Sequence, residues 1–279
     1  MSLRIVFMGT PDFAVPCLDQ LVKDGHDLAM VITQPDRPKG RGLSLAASPV
    51  KVRALELGLP VMQPESMRNQ GAIDHLSKLG PDLIVTVAFG QLLPQTVLDI
   101  PVLGAINVHA SLLPRLRGGA PIHWAIMNGD QETGVTTMHM ARRLDAGDMI
   151  LQKKVAIGPQ DTVGVLHDRL APLGAQLLSE TAKLIEQGRA PRTAQDEALA
   201  TYGPNVSAAD QMLRWSWPVI RLCNRVRGLD PWPGAITRLR GAVLKIWAAE
   251  PTQGSGEPGT VLELRRGEGF VVATGDGAV

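Results

Sequence analysis

The chain has little cysteine and no long apolar run. Only two cysteines occur in 279 residues, and Cys17 and Cys223 lie far apart, outside any Cys-x-x-Cys unit. This excludes a disulfide framework and a cysteine-rich metal site, and it indicates two small buried residues in a reducing cytosol. No segment reaches the roughly 20 apolar residues that a membrane-spanning helix needs. The strand-like run Leu3–Phe7 leaves no room for a signal peptide, so we expect a cytoplasmic protein without membrane contact.

The weak net charge and the missing motifs exclude further classes of protein. The formal charge is +1, so any attraction to nucleic acid must come from local patches. The phosphate-binding pattern Gly-x-Gly-x-x-Gly is absent, and Pro11 removes an N–H donor from the first loop, so dinucleotide binding is not expected. The histidines form no metal-ligand pair, and Ser111 is not in a Gly-x-Ser-x-Gly elbow. We expect neither a metal nor a serine triad.

Short apolar runs alternate with helical periodicity up to about Gln187. The strand-like runs are Leu3–Met8, Leu28–Thr33, Leu83–Ala88, Ala105–Val108, Val135–Met140 and Met149–Ile157. The helix-like stretches are Phe13–Lys23, Val50–Leu57, Ala72–Leu79 and Thr162–Glu186. This alternation predicts an α/β domain over residues 1–188, with a Rossmann-like, mainly parallel sheet and helices on both faces.

A polar segment without periodicity separates this domain from a second one. Residues 189–205 are predicted to be a linker, and residues 206–279 a C-terminal domain. Trp217–Gly228 has helical periodicity, and four alternating runs follow it, separated by turns that contain glycine. These runs are Ala235–Leu239, Ala242–Ala248, Gly259–Leu264 and Gly269–Ala273. They predict a small antiparallel β-barrel.

The candidate for chemistry is the pair Asn107 and His109 at the end of a strand, with Asp145 downstream. Side chains two residues apart on a strand point the same way, so an amide and an imidazole would project together from the carboxyl end. A carboxylate such as Asp145 orients an imidazole and stabilises its charged form. The three groups suit carbonyl chemistry, as an oxyanion donor, a proton carrier and an orienting base. Asn-x-His alone is also compatible with a strand end and an ordinary buried histidine.

The surrounding residues carry a resemblance to a known family. Ser-Leu-Leu-Pro at 111–114 follows His109, and Gly-Thr-Pro-Asp-Phe stands at 9–13. Gln-Pro-Asp-Arg occupies 34–37, and Asp-Pro-Trp-Pro occupies 230–233. With the Asn107, His109 and Asp145 trio, these segments closely resemble methionyl-tRNA formyltransferases, a family of the folate-dependent formyltransferase superfamily. The match runs in order from about Arg4 to the chain end.

The resemblance implies transfer of a formyl group from 10-formyltetrahydrofolate to methionyl initiator tRNA, by a monomer. It implies catalysis by the trio, and a C-terminal barrel of the oligonucleotide-binding (OB-like) type. The chain stops at Val279, before members usually end, so it is either a short variant or a truncated sequence. The folate site would be formed by Phe89, Gly90, Gln91, Leu92, Ser111, Leu112, Leu113, Pro114 and Asp148.

Two basic segments are candidates for tRNA contact. The stretch Thr33–Arg53 carries several cations against the single acid Asp36, and its glycines and prolines predict a mobile loop. Arginines interleaved with tryptophans in the second domain are typical of a nucleic-acid contact, although tryptophans also fill small cores. The predicted tRNA-binding residues are Arg37, Lys39, Arg41, Arg214, Arg221 and Arg225.

Two other functions remain open from the sequence. One is formyl transfer to a small amine, such as an amino sugar nucleotide or glycinamide ribonucleotide, which the basic segments disfavour. The other is a non-catalytic tRNA-binding protein, which the intact trio disfavours.

Overall fold

The first part of the chain forms a seven-stranded sheet. The structure, a computed structural model, describes residues 2–39, 44–267 and 269–279. The strands are β1 Arg4–Gly9, β2 Asp27–Ile32, β3 Arg37–Lys39, β4 Ser44–Ala46, β5 Val61–Met62, β6 Leu83–Val87, β7 Ala105–His109, β8 Glu132–His139, β9 Met149–Ala156, β10 Ala235–Leu239, β11 Ala242–Ile246, β12 Val261–Arg265 and β13 Gly269–Val272. In the large sheet the order is β5-β2-β1-β6-β7-β8-β9. The strands β5, β2, β1, β6 and β7 pair in parallel, whereas β8 runs antiparallel to β7.

Helices alternate with these strands. They are α1 Val15–Lys23, α2 Pro49–Glu56, α3 Gln70–Leu79, α4 Gln95–Leu98, α5 Pro121–Asn128, α6 Val163–Glu186, α7 Ala208–Gln211 and α8 Val219–Arg227. Local signals set several ends. The side chain of Ser48 caps α2, whose first residue is Pro49, and the side chain of Asn69 caps α3. Gly80 ends α3 in the left-handed conformation.

The parallel strands form the core because both of their faces are apolar. Val6 and Met8 of β1 pack with Ile84 of β6 and with Leu76 of α3 in one buried cluster. The predicted fold class is confirmed: a mainly parallel sheet with helices, followed by a C-terminal region of short antiparallel strands. The described C-terminal strands form two separate pairs, β10 with β11 and β12 with β13, instead of one continuous barrel sheet.

The segment Thr33–Arg53, predicted as a mobile basic loop, is partly ordered, and its last residues lie in the helix that was predicted at Val50–Leu57. Strands β3 and β4 pair antiparallel inside it, and α2 begins at Pro49. Lys51 donates to Asp36 at 2.7 Å, and Arg53 forms ion pairs with Asp19 and Glu56. The sequence pattern gave no sign of the pair between Arg53 and Asp19, because Asp19 lies on α1 and is distant in sequence.

Two compact units divide the described residues. The first comprises Met1–Gly119, Gly134–Lys154 and Asp168–Tyr202, and the second comprises Ala120–Thr133, Val155–His167 and Gly203–Val279. The units are interleaved along the chain, whereas the predicted domains follow one another, so the bounds at 188 and 205 stay a prediction.

The second unit has a small core of its own. Met127, Leu222 and Val226 bring α5 and α8 together, with Leu213 and Ala235 beside them. None of the helices in the described ranges is long and apolar enough to span a membrane.

Candidate active site

Asn107 lies on β7 with its amide fixed by a neighbouring strand. The register pairs Asn107 with Thr86 of β6, and the hydroxyl oxygen of Thr86 lies 2.8 Å from Asn107 Oδ1. The carbonyl oxygen of Ile106 and the sulfur of Met140 lie 3.1 and 3.3 Å from the same hydroxyl, so three acceptors surround its single proton, and Asn107 Oδ1 is the nearest. Because Oδ1 is turned to Thr86, the donor atom Nδ2 of Asn107 faces away from β6.

His109 ends β7 and is buried between two oxygen atoms. Its Nε2 lies 3.0 Å from the carbonyl oxygen of Leu116, and its Nδ1 lies 3.7 Å from Asp145 Oδ2. A carbonyl oxygen only accepts, so the first contact requires a proton on Nε2. Nδ1 therefore faces the carboxylate, and protonation there makes an imidazolium paired with Asp145. The structure brings together the histidine and the aspartate that the sequence predicted as partners.

Asp145 is held in an unusual backbone conformation. Its φ is +49°, in the left-handed region that residues with a Cβ rarely adopt. The backbone N–H of Gly118 donates to Asp145 Oδ2 at 2.8 Å, and the side chain is only 9% exposed. Gly147 follows, and a Cβ there would collide with the carbonyl oxygen of His139. The loop Leu144–Asp148 is thus tightly constrained.

Two left-handed residues, Leu116 and Asp145, lie at this site. Among the non-glycine residues that the structure describes, positive φ occurs at Ala88, Leu116, Asp145 and Arg240. Ala88 follows β6, Leu116 contacts His109, and Asp145 carries the carboxylate. Such conformations cost of order 1–3 kcal/mol each, persist only where the surroundings impose them, and cluster at functional sites.

A buried arginine and a glutamine that the sequence analysis missed support the loop. Arg117 is 0% exposed, and its guanidinium donates to Glu197 Oε1 at 2.9 Å and to Gln195 Oε1 at 2.8 Å. Gln195 Nε2 donates to the carbonyl oxygens of Asp145 and Gly147, each at 2.8 Å. Hydrogen bonds from Arg117 and Arg143 lower the pKa of Glu197 from 4.5 to about 2. Residues predicted as a linker therefore contact the site directly.

The residues predicted for folate binding include several with structural partners. Gln91 Oε1 accepts from the backbone N–H of Met67, and its Nε2 donates to Pro64. Phe89 is buried, and its carbonyl oxygen accepts from Thr10 and Gln34. Gly90 has a φ of +84°, whereas Leu92 is 63% exposed. Leu92 therefore presents an exposed apolar side chain in the loop after β6.

The segment 111–114 forms the turn after β7. The hydroxyl of Ser111 donates to the carbonyl oxygen of Arg115 at 2.6 Å, and the backbone N–H of Leu113 donates to Thr136. Leu112 is half-buried, and Leu113 precedes a cis peptide bond to Pro114. These contacts shape the turn that leads to Leu116.

Asp148 is the last residue of the loop Leu144–Asp148, and its carbonyl oxygen accepts from the backbone N–H of His139 at 2.9 Å. Asp148 is half-exposed and forms an ion pair with Arg192 at 3.6 Å.

The predicted tRNA-binding residues differ in exposure. Arg37 on β3 is exposed. Arg41 and the side chain of Lys39 lie outside the described residues.

In the second unit three arginines surround the Trp217 ring. The guanidinium carbons of Arg214, Arg221 and Arg225 lie 5.9, 4.6 and 5.1 Å from its centroid. Arg214 and Arg221 are exposed, whereas Arg225 is 8% exposed and also lies over Trp124. Burial lowers the pKa of Arg225. Arg225 is therefore the buried member of the cluster. Of the three arginines, Arg214 and Arg221 present their charge to solvent.

Some of the missed residues had a signal in the sequence. Thr86 is a polar residue inside the apolar run Leu83–Val87, two residues before the loop that starts at Ala88. A polar side chain in a buried strand needs a partner, and Asn107 supplies it. Gln195 and Glu197 carried no comparable signal, since polar residues in an aperiodic stretch are ordinary in a linker.

The pairing of Glu197 makes stability depend on pH. Because folding lowers the pKa of Glu197 to about 2, this pairing stabilises the protein fully above about pH 4.5 and is lost as the pH falls towards 2. Thermal unfolding midpoints of the wild type and of Glu197→Gln should therefore differ at pH 7 and converge at acid pH. Glu65→Gln, at an exposed position in the same unit, controls for the charge change. A gap between Glu197→Gln and wild type that stays constant down to pH 2 would contradict the pairing.

Comparisons with known proteins agree on one family. Residues 3–182 match the formyl transferase family, and residues 205–279 match the formyl transferase C-terminal domain. The methionyl-tRNA formyltransferase of Moorella thermoacetica is 55% identical over 277 residues, covering 99% of this chain and 89% of that protein. That of Bacillus subtilis is 53% identical and covers 98% and 86%.

Solved structures share the fold at low identity. HypX from Aquifex aeolicus in complex with tetrahydrofolic acid has a TM-score of 0.70 at 21% identity, covering 100% of this chain and 43% of that one. An N-formyltransferase from Helicobacter canadensis, in complex with folinic acid and dTDP-3-aminofucose, has a TM-score of 0.73 at 17% identity and covers 99% and 97%. The family matches span both parts of the sequence and include the strand that carries Asn107 and His109, so this chain belongs to the formyl transferase family.

Proposed function

We propose that this chain transfers a formyl group from 10-formyltetrahydrofolate to the amino group of methionine on initiator tRNA, in the cytoplasm. The observation that carries the proposal is the buried site of Asn107, His109 and Asp145 in a chain about half identical, over nearly its whole length, to proteins named methionyl-tRNA formyltransferase. An amide donor beside an imidazole–carboxylate pair suits attack of an amine on a formyl carbon.

Asn107 stabilises the charge that develops in this reaction. When the acceptor amine attacks the formyl carbon, negative charge grows on the formyl oxygen. Thr86 turns the amide so that Asn107 Nδ2 can donate to that oxygen. Donors fixed in advance need no reorganisation as the charge appears, which is why such contacts contribute strongly to rate.

His109 and Asp145 carry the proton. The bond from the amine to the formyl carbon forms, the bond from that carbon to the donor nitrogen breaks, and the proton lost by the amine ends on the donor nitrogen. His109 Nε2 is bonded to the carbonyl oxygen of Leu116, so it must exchange that bond to reach the substrate. His109 is neutral before it takes up the proton of the amine and neutral again after it gives a proton to the donor nitrogen. Asp145 faces Nδ1 and stabilises the imidazolium that forms between these two steps.

The folate co-substrate would lie along the loops after β6 and before β9. The exposed side chain of Leu92 offers apolar surface to a flat ring, and the left-handed Ala88 and Gly90 turn the chain away from the strand end. Asp148 offers a carboxylate acceptor at the other loop. Phe89 and Gln91 would shape this pocket through the contacts that fix their own loops.

The tRNA would be bound by basic residues outside the trio. We expect residues 1–188 to carry the chemistry and residues 206–279 to contact the phosphate backbone of the tRNA. Arg214 and Arg221 present guanidinium groups beside Trp217, an arrangement suited to phosphates and stacked bases. Arg37, Lys39 and Arg41 would add contacts close to the acceptor end of the tRNA.

Labelled formyl donor tests the proposal directly. The protein is incubated with 10-formyltetrahydrofolate labelled in the formyl group and with methionyl-tRNA, an amino sugar nucleotide or glycinamide ribonucleotide. We expect label on methionyl-tRNA alone. Label on a small amine would assign the other transferase activity, and tRNA binding without label on any acceptor would identify a non-catalytic protein.

Removing any member of the trio should abolish most of the turnover. Asn107→Ala, His109→Ala and Asp145→Ala should each lower kcat by about a hundredfold or more, with little change in tRNA affinity. Steady-state kinetics and filter binding measure the two quantities on folded protein. Near-normal kcat in Asn107→Ala would remove that residue from the oxyanion role.

Thr86 should act through Asn107. Thr86→Val removes the hydroxyl that orients the amide, and a lost hydrogen bond of about 1 kcal/mol corresponds to a fall in kcat of roughly threefold to tenfold. Thr137→Val is the matched control, because Thr137 is a buried threonine of β8 whose hydroxyl bonds to Thr181 instead. Both variants should lose stability, but equal loss of kcat in both would mean that Thr86 has no specific role.

The exposed arginines should set the salt dependence of tRNA binding. Replacing Arg214 and Arg221 together with glutamine should weaken binding and reduce the slope of log affinity against log salt by roughly one to two units. Replacing the exposed Lys23 and Lys78 with glutamine makes the same change in charge and should leave the slope unaltered. An identical slope for both pairs would exclude a phosphate contact at Trp217.

A further inference from the structure

Gln195 uses every hydrogen-bonding group of its side chain at the site. Its Nε2 donates to the carbonyl oxygens of Asp145 and Gly147, each at 2.8 Å. Its Oε1 accepts from Nε of Arg117 at 3.0 Å and from Nη2 at 2.8 Å. A side-chain amide has two N–H groups and two lone pairs, so this residue is fully satisfied. A solvated linker residue has no need of four such contacts.

Arg117 connects the same segment to the other side of Asp145. Its guanidinium also forms a two-point contact with Glu197, at 3.2 Å from Nη1 and 2.9 Å from Nη2. Its backbone N–H donates to the carbonyl oxygen of Thr201 at 2.9 Å. The next residue, Gly118, donates its N–H to Asp145 Oδ2. Residues 195–201 therefore hold the chain on both sides of the carboxylate.

The backbone of Asp145 needs such support. With a φ of +49°, it lies in a region that is unfavourable for a residue with a Cβ. Without contacts that oppose it, the backbone of Asp145 would relax to a more favourable conformation. The carboxylate would then turn away from His109. The two bonds from Gln195 act on the carbonyl groups of Asp145 itself and of Gly147, which bracket the turn.

We propose that Gln195 is a positioning residue, which holds Asp145 in its left-handed conformation so that the carboxylate faces His109. Arg117 and Glu197 fix Gln195 in turn, so the segment after α6 is part of the active-site scaffold. The kinetic part of the test rests on the proposed formyl transfer, and the structural part does not.

Gln195→Glu removes the N–H donors of the side chain and keeps its acceptor oxygen. A carboxylate still accepts from Arg117, but it cannot donate to the carbonyl oxygens of Asp145 and Gly147. The loss of two hydrogen bonds should lower kcat by roughly tenfold to a hundredfold with KM changed less than about threefold. Gln187→Glu makes the same change at an exposed position of the same unit and should alter neither quantity.

A double-mutant cycle distinguishes positioning from general support. If Gln195 acts through Asp145, Gln195→Glu should lower kcat less than about twofold further in an Asp145→Asn background. The same fold loss in both backgrounds, or a change in KM without a change in kcat, would overturn the proposal. Gln195→Met, of similar length, should show the same kcat loss, and it provides the test if the glutamate variant does not fold.

Amide exchange gives a readout that does not need activity. The N–H of Gly118 donates to Asp145 Oδ2, so its exchange should become about tenfold or more faster in Gln195→Glu, and stay unchanged in Gln187→Glu. Unchanged exchange at Gly118 would overturn the proposal whatever the kinetics. If the wild type transfers no formyl group to methionyl-tRNA, the proposed function fails while the exchange measurement still decides the role of Gln195.

Discussion

The pairing of a buried imidazole with a buried carboxylate is the constraint on which the rest of the site depends. His109 and Asp145 come from elements far apart in sequence, and their side chains are 7% and 9% exposed. Burial of charge is costly unless each group has partners, so the surroundings must supply them. The carbonyl oxygen of Leu116 and the N–H of Gly118 do so from one loop. A single short turn after β7 thus serves both members of the pair.

That arrangement explains why unfavourable backbone conformations gather here. Leu116 and Asp145 must both present a backbone or side-chain group to His109, and neither does so from an ordinary loop conformation. The contacts of Arg117, Gln195 and Glu197 oppose the relaxation of these residues. Arg117 is suited to this task because its fixed fork of donors can bond the glutamine and the glutamate together. Rigidity at the site is therefore supplied by residues that take no part in the chemistry.

The sequence predicted most of the first sheet, because apolar runs bounded by polar turns are a local signal. The runs at Leu83–Ala88 and Ala105–Val108 match β6 and β7 closely, and the alternation of β7 placed Asn107 and His109 on one face. The same reasoning counted Lys51 and Arg53 among the cations of a mobile basic loop and named no partner for either. Asp19 is brought close to Arg53 only when α1 and α2 pack, and Asp36, which pairs with Lys51, lies immediately before β3. It also missed Gln195, whose four contacts all reach residues distant in sequence.

The sequence by itself determined the fold class and the family resemblance, and it placed Asn107 and His109 on one face of a strand, because periodicity and motif spacing are properties of neighbouring residues. Only the tertiary structure decided which atoms face each other. In the folded protein Asn107 Oδ1 accepts from the hydroxyl of Thr86, and His109 Nε2 lies against the carbonyl oxygen of Leu116. Packing also buries Arg225, whereas Arg214 and Arg221 are exposed. It also made a polar stretch after α6 part of the site. Contacts between segments far apart along the chain depend on packing, and no local pattern of residues encodes them.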